Sequence, residues 1–431
     1  MLQHISRQPS FDLEAVESAL RTAILAAGAR LLAKLLEDVG EGRRNKPVVC
    51  ACGMPMWSWG LEEKTVLTIL GEVRFSRSRY ECPRCHAFRY PGDEELGVRG
   101  TSRSPGVRRM MARAGSRQTF KEARDDLGIY AGVQVSAKDV ERVAEGIGEK
   151  IEVWQSQQRE FLLTGQLESP SCASVPTMYI EMDGTGVPMT RQELAGRKGK
   201  QADGTSRTRE AKLGCVFTQT ELDEKGRPRR DLDTTSFVGA IETVEDFGAR
   251  IEAEAIRRGL SDAKEVIVLG DGAVWIRGLV EHRFPQATQI IDLFHSKEHV
   301  ANLVKLLFGT DEKKVLKYRL GWRTDLEAGL IEKIIKEAQK KRPRQGETRK
   351  KVNCEIHYLD ENKERMRYAE FRKKGWFVGS GVIEAGCKSI IGPRLKQSGM
   401  EWSLRGANAI ISLRCTMLSE RFEDFWEERA A

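Results

Sequence analysis

The stretch Met178-Tyr179-Ile180-Glu181-Met182-Asp183-Gly184-Thr185 decides how this chain is read. It reads as a short buried strand that delivers a carboxylate, Asp183, at its C-terminal tip. The pattern of apolar run, Asp and Gly returns at Val266-Ile267-Val268-Leu269-Gly270-Asp271-Gly272, and Gly379-Ser380-Gly381-Val382-Ile383-Glu384-Ala385 opens a helix with an acid in its first turns. An Asp-Gly pair by itself is ordinary turn chemistry. Two strand-end acids and one helical acid, far apart in sequence, are what a fold uses to hold two divalent cations, because hard ions prefer carboxylate oxygens.

Outward from that stretch the pattern predicts strand Met178 to Met182, a basic Gly-rich excursion over 191–209, and strands Leu213 to Thr218 and Thr235 to Ile241. A helix from Val244 to Arg258, strand Val266 to Leu269, a helix over 275–282, strand Thr288 to Leu293 and a helix from Ser296 follow. Three strands and then alternating helix and strand is the ribonuclease-H-like order, an α/β fold with a mixed sheet and helices on both faces. Ligands of open α/β sheets collect beyond the carboxyl ends of strands, where Asp183 and Asp271 are expected. Residues 301–375 are charged and helix-forming and read as an all-helical insertion, so the catalytic domain is expected over 175–300 and 376–425.

Upstream, residues 1–45 hold a helix from Phe11 to about Leu36, with apolar residues at helical spacing that need a partner. Residues 46–95 carry Cys50-x-Cys52 and Cys82-x-x-Cys85 on either side of a predicted hairpin, the arrangement of a zinc ribbon. His86 could replace one thiolate, and the first knuckle is tighter than usual. Cys172, Cys215, Cys354, Cys387 and Cys415 are dispersed and read as small core residues. Residues 96–164 predict short helices, 106–114 and one from Thr119 closed by Gly128, then another from Ser136. With Arg108, Arg109, Arg113, Arg117, Lys121 and Lys138 nearby, this reads as a helix-turn-helix-like DNA-binding region. A polar linker over 165–174 separates it from the catalytic part.

The formal charge of +8 and the pI near 8.9 point to a polyanionic partner. No apolar run reaches the roughly 18 residues of a membrane span, and no signal-peptide core is present, which leaves a cytoplasmic protein with no membrane partner as the expectation.

With Glu-Met-Asp-Gly-Thr, Leu-Gly-Asp-Gly-Ala, Asp-Leu-Phe-His and Gly-Ser-Gly-Val-Ile-Glu-Ala-Gly-Cys-Lys in order, the chain resembles the DDE transposases of the bacterial ISKra-type insertion sequences, relatives of the Mutator-like group. The resemblance runs from the cysteine knuckles to about Met417. It implies the triad Asp183, Asp271 and Glu384 holding two Mg²⁺ or Mn²⁺ ions, with Asp292 and His295 as the family's Asp-x-x-His pair. It also implies a structural Zn²⁺ on Cys50, Cys52, Cys82 and Cys85. Glu181 shares a strand face with Asp183 and is an alternative ligand or the partner of a basic residue. Lys388, Arg394, Lys396, Arg405 and Arg414 are expected to form a basic track for a DNA backbone, with Trp402 stacking on an extruded base. The implied activity is metal-dependent cleavage at element ends and transfer of the 3′-hydroxyl into double-stranded target DNA. The enzyme would be nucleoid-associated and act as a homodimer or higher oligomer on DNA. A structure-selective nuclease and a non-catalytic DNA-binding derivative are the competing readings.

Overall fold

A computed structural model describes residues 12–38, 42–166, 175–199, 201 and 204–430. Phe11, Cys172 and most of the 165–174 linker lie outside the described residues. The chain divides into two compact units, Met1–Ala144 and Glu145–Ala431.

The first unit begins with helix α1 (Leu13–Asp38). It packs on a hairpin of β1 (Pro55–Thr68) and β2 (Gly71–Glu81), paired from Trp57↔Glu81 to Thr68↔Gly71. Ala29, Leu32, Ala33 and Leu36 of the helix meet Val66, Val73 and Phe75 of the hairpin in one apolar cluster. Short strands Val48–Val49 and Phe88–Arg89 extend the hairpin into a four-stranded sheet. Helices α2 (Pro105–Arg117) and α3 (Phe120–Ala131) follow, joined through Val107, Met111, Ala123, Leu127 and Val140. A capping box between Thr119 and Glu122 starts α3. It does not stop at Gly128. Gly132, at φ +69°, supplies the left-handed turn that closes the helix, while Gly128 lies inside it.

Helix α4 (Ala137–Leu163) leads into the second unit. Its sheet is built from β3 (Val175–Pro188), β4 (Thr208–Gln219), β5 (Ser236–Ala240), β6 (Ala263–Gly270) and β7 (Thr288–Ile291), in the order β7-β6-β3-β4-β5. The pairs β7·β6 and β6·β3 are parallel, and β3·β4 and β4·β5 antiparallel, so the sheet is mixed. Helices α5 (Val244–Arg257) and α6 (Val274–Arg283) cover one face through Phe247, Ile251, Ile276 and Leu279, packed against Met178, Ile180, Met182 and Val268. Gly214 permits the close approach, since a Cβ there would meet Ile251 at 2.7 Å.

Strand β3 is longer than its apolar run predicts. It continues past Asp183 to Pro188, paired only with β4, because Gly184 and Gly186 leave room for Glu210 and Thr208 across the ladder. Helix α7 (Leu293–Phe308) starts three residues earlier than expected, at an Asp292 cap. Helices α8 (Glu312–Glu327), α9 (Ile331–Lys341), α10 (Glu347–Glu361) and α11 (Tyr368–Lys373) then form an all-helical stretch before α12 (Gly381–Gly386). After α12 come a π-helical segment, Cys387–Ile391, and helices α13 (Leu404–Leu418) and α14 (Phe422–Ala430). Pro393, with no N–H, cannot bond the Ser389 carbonyl four residues back. Buried Arg414 donates to the carbonyls of Ser389 and Ile390 instead.

Candidate functional site

The β3·β6 ladder ends at Glu181↔Leu269, and both strands run the same way, which brings Asp271 level with Asp183 on the neighbouring strand. Asp271 closes the turn after β6, its Oδ1 accepting the Ala273 N–H at 2.9 Å. Asp183 accepts the N–H of Gly184 at 2.7 Å and, at 3.3 Å, the thiol of Cys387. That thiol lies one turn beyond Glu384, so the helix of the third acid touches the first.

Helix α12 is tied to the sheet by two carboxylates from elsewhere in the chain. Its Ser380 makes no side-chain cap of its own. Asp292 Oδ2 accepts the Ser380 N–H at 2.6 Å and its hydroxyl at 3.0 Å, and Glu181 Oε2 accepts the Ile383 N–H at 2.8 Å. These are amides that a helix start leaves without partners, and here they are capped in trans. Asp292 also accepts the His295 N–H at 2.7 Å through Oδ1, and its own N–H donates to Gly270 at 2.8 Å. It joins the ends of β6 and β7 to the start of α12. Glu181 is fully buried, and its other oxygen has no hydrogen-bond partner. Burial pushes its carboxyl up to about 8, against the Ile383 N–H and with the help of Asp292's charge. No basic side chain is bonded to it, contrary to one sequence expectation; the backbone is its partner.

The Asp271 turn is held from the other side by Tyr358 of α10, whose hydroxyl donates to the Asp271 carbonyl at 3.1 Å. Gly272, at φ +84°, is required there, because a Cβ would lie 2.5 Å from that hydroxyl. The Tyr358 ring stacks on His299 at 3.8 Å, and His299 Nδ1 is 2.7 Å from Glu355. The His295 ring faces His299 edge-on at 5.0 Å, with Glu298 3.8 Å from its Nδ1, so the backbone N–H of His295, not its imidazole, engages Asp292.

The predicted basic track separates into two groups. Lys388 and Arg405 are exposed, Lys388 lying 3.9 Å from Glu384 and Arg405 paired with Glu149. Lys396, also exposed, donates to the Thr185 hydroxyl. Arg394 and Trp402 are corrections. Both are buried, Arg394 lies 5.0 Å over the indole, and Trp402 donates its indole N–H to Leu395 at 3.2 Å, so neither presents a face to a base or phosphate. Arg414 is consumed by the π-helical carbonyls. Sequence reading missed the roles of Cys387 and Tyr358. The three-residue spacing of Cys387 from Glu384 was the available signal for the first; Tyr358 offered none.

Among the described residues, Cys50, Cys52, Cys82 and Cys85 are the one group of three or more potential ligands whose ligand atoms all lie within 4.8 Å of one another. Cys50 and Cys85, and Cys52 and Cys82, approach to 3.5 Å. Tetrahedral thiolates around zinc, at about 2.3 Å from the ion, need about this separation. Gly53 at φ +84° and His86 at φ +56° turn the two knuckles inward, and this is how the tight first knuckle still brings both thiols to the site. His86 points away, exposed beside Glu81, and does not substitute for a thiolate. The Cys85 N–H holds the Cys82 thiol down to about 6. The four cysteines can bind a metal such as zinc. The oxygens of Asp183, Asp271 and Glu384 do not all lie within that distance of one another; ligands that span two ions about 4 Å apart stand wider than ligands around one.

A family model matches residues 10–423. The chain belongs to the uncharacterised protein family UPF0236. None of the curated proteins matches the sequence. A solved structure, the Drosophila P element transposase strand transfer complex, is similar at 10% identity over 79% of this chain and 85% of that one, with a TM-score of 0.27. A likeness at that score carries no functional weight. Among the described residues no helix is long and apolar enough to cross a membrane.

Proposed function

We propose that this member of UPF0236 is a DDE-type DNA transposase of the ISKra kind, with Asp183, Asp271 and Glu384 as its metal-binding acids. The observation that carries the reading is the convergence of their supports: adjacent parallel strands bring the two Asp residues level, and Glu181 and Cys387 tie the helix of Glu384 to the same strand as Asp183. The strand order, with the first three strands antiparallel and the next two parallel, supports a ribonuclease-H-like domain over 175–300 and 376–425, interrupted by a helical insertion over 301–375. The cysteine hairpin over 46–95 and the helices over 96–164 are assigned to DNA recognition, and residues 1–45 to the N-terminal helix.

Mg²⁺ or Mn²⁺, when bound, would supply charge neutralisation at the attacking and leaving oxygens of an in-line phosphoryl displacement. The chain's own residues orient that chemistry. Asp292 and Glu181 fix where Glu384 begins its helix, and Tyr358 fixes the backbone of Asp271. Exposed Lys388, Lys396 and Arg405 are placed to meet phosphates electrostatically. Water is the nucleophile at the element end, and the freed 3′-hydroxyl is the nucleophile at the target.

The test is joining of a 3′-hydroxyl oligonucleotide carrying an element end to a plasmid, with Mg²⁺ or Mn²⁺ present. Joining is expected with the natural chain and lost with Asp183→Asn, while binding of the end persists. Cleavage without joining would turn the assignment to a nuclease, and undiminished activity in Asp271→Ala would remove it.

A further inference from the structure

Helix α1 is apolar on two faces. One is seated on the hairpin through Ala29, Leu32, Ala33 and Leu36. The other, nearly half a turn away, carries Leu13, Val16, Leu20, Ile24, Ala27, Leu31 and Leu35, and all are exposed, the six larger ones by 37 to 68%. Scattered exposed leucines need no explanation, but a continuous apolar stripe along a whole helix does.

The steps along this stripe are 3, 4, 4, 3, 4 and 4 residues. That is an eleven-residue repeat, 3.67 residues per turn, so close to the α-helical 3.6 that the stripe stays on one side for its whole length of about 33 Å. A stripe that neither winds nor breaks fits another straight helix laid along it. We propose that this face of α1 is the seat of a second copy of this chain, packed α1 against α1 in antiparallel fashion.

Three features favour a self-association over another occupant. The stripe is symmetric about Ile24 to within one residue: Leu13 mirrors Leu35, and Val16 and Leu20 come within one position of mirroring Leu31 and Ala27. An antiparallel copy therefore covers every position, large against large at the ends and large against small beside the centre. Antiparallel seating also lays Glu14 and Glu17 of one helix alongside the stretch of the other that carries Arg30 and Lys34, inside its closing Glu37. Finally, covering these side chains would remove on the order of 600 Å² from each copy, a total of roughly 1,200 Å² that reaches the lower bound of stable specific interfaces. The hairpin holds the opposite face, so the helix is formed before its mate arrives and little ordering is left for association. Such pairing is independent of the transposase reading and needs no DNA.

The experiment is sedimentation or light scattering of the full chain, free of nucleic acid, at micromolar concentration. A dimer is expected, and a monomer for the double variant Leu20→Glu/Ile24→Glu. Amide exchange at Leu32 to Leu36 in that variant should remain slow, showing that α1 still rests on the hairpin. Where the double variant misfolds, Ile24→Cys decides, because the symmetry puts residue 24 against its own mate: oxidation should give a crosslinked dimer absent from the natural chain. A natural chain that stays monomeric at tens of micromolar, a dimer unmoved by the two glutamates, or Ile24→Cys without a crosslink of its own would overturn the proposal.

Discussion

At the scale of single residues, the weight of the site falls on groups that are not themselves proposed ligands. Glu181 and Asp292 cap a helix whose own cap residue does not. Truncating Glu181 to Ala leaves the Ile383 amide without its acceptor and should cost about 1–3 kcal/mol. Glu181→Gln keeps an acceptor oxygen of the same reach and should cost less than about 1 kcal/mol. Denaturant titration gives the stabilities, and amide exchange at Ile383 gives the location; equal exchange in the Ala variant and the natural chain would show that the cap does not matter. Gly272→Ala is a second such case. It combines φ +84° with a clash against the Tyr358 hydroxyl, and should destabilise by about 2 kcal/mol or more. Adding Tyr358→Phe should return part of that loss and not all, since Ile291 and the backbone angle still object.

These residues also mark where the sequence could be read and where it could not. Asp183 and Asp271 stand out because an apolar run followed by Asp-Gly is a local pattern. Glu181 shows its strand face locally too, but its partner lies 202 residues away and is a backbone amide, invisible to any spacing rule. Arg394 and Trp402 look like a DNA-reading pair from their types alone, and only tertiary burial reveals them as packed on each other.

Among elements, the order of strands and helices was legible from periodicity, and the ends were not. Gly128 and Gly132 are both adequate stop signals, and the one that closes α3 is chosen by the fold around Val133, whose N–H bonds Leu127. The π-helical turn had no signature beyond Pro393. The all-helical stretch is held by a node that the sequence hides among many charges: Glu327, reached by Lys297 at 2.6 Å, Arg372 at 3.3 Å and Arg323 at 3.4 Å. The Lys297 ammonium, foremost, draws its carboxyl from an ordinary 4.5 down to about 2. A depressed acid stabilises the fold above its unfolded value, and that contribution is lost as pH falls through the folded one. Acidification from pH 5 toward pH 2 should therefore loosen α7, α8 and α11 at this node, and Glu327→Gln should lose about 1 kcal/mol at pH 7 and show a flatter acid limb. Acid titration followed by far-ultraviolet circular dichroism compares the two; superimposable limbs would dismiss the node.

For the whole molecule, the first unit leans on its cysteines in a way the second does not. A hairpin with small flanking clusters buries little apolar surface, and a four-thiolate ion is the usual substitute for a core. The purified chain should carry about one zinc, and Cys52→Ser or strong chelation should remove it. Hydrogen exchange should then quicken at Cys50 to Met56 and Tyr80 to Cys85, while the amides of β3 and β6 keep their protection. Metal-free protein with unchanged exchange at the knuckles would show that the thiols hold the turns unaided.

The trans-capped start of α12 has a temporal corollary. A six-residue helix has no standing of its own in water, and this one borrows its acceptors from a helix cap and a strand made some 90 and 200 residues earlier. A ribosome-bound chain halted near residue 380 would already display Asp183 and Asp271 yet lack the helix of Glu384, so on the proposed reading the site should stay unassembled until the residues beyond 380 have emerged. Proteolysis of chains stalled before and after residue 395 would expose the difference as a late gain of resistance around the sheet; equal resistance would place assembly earlier.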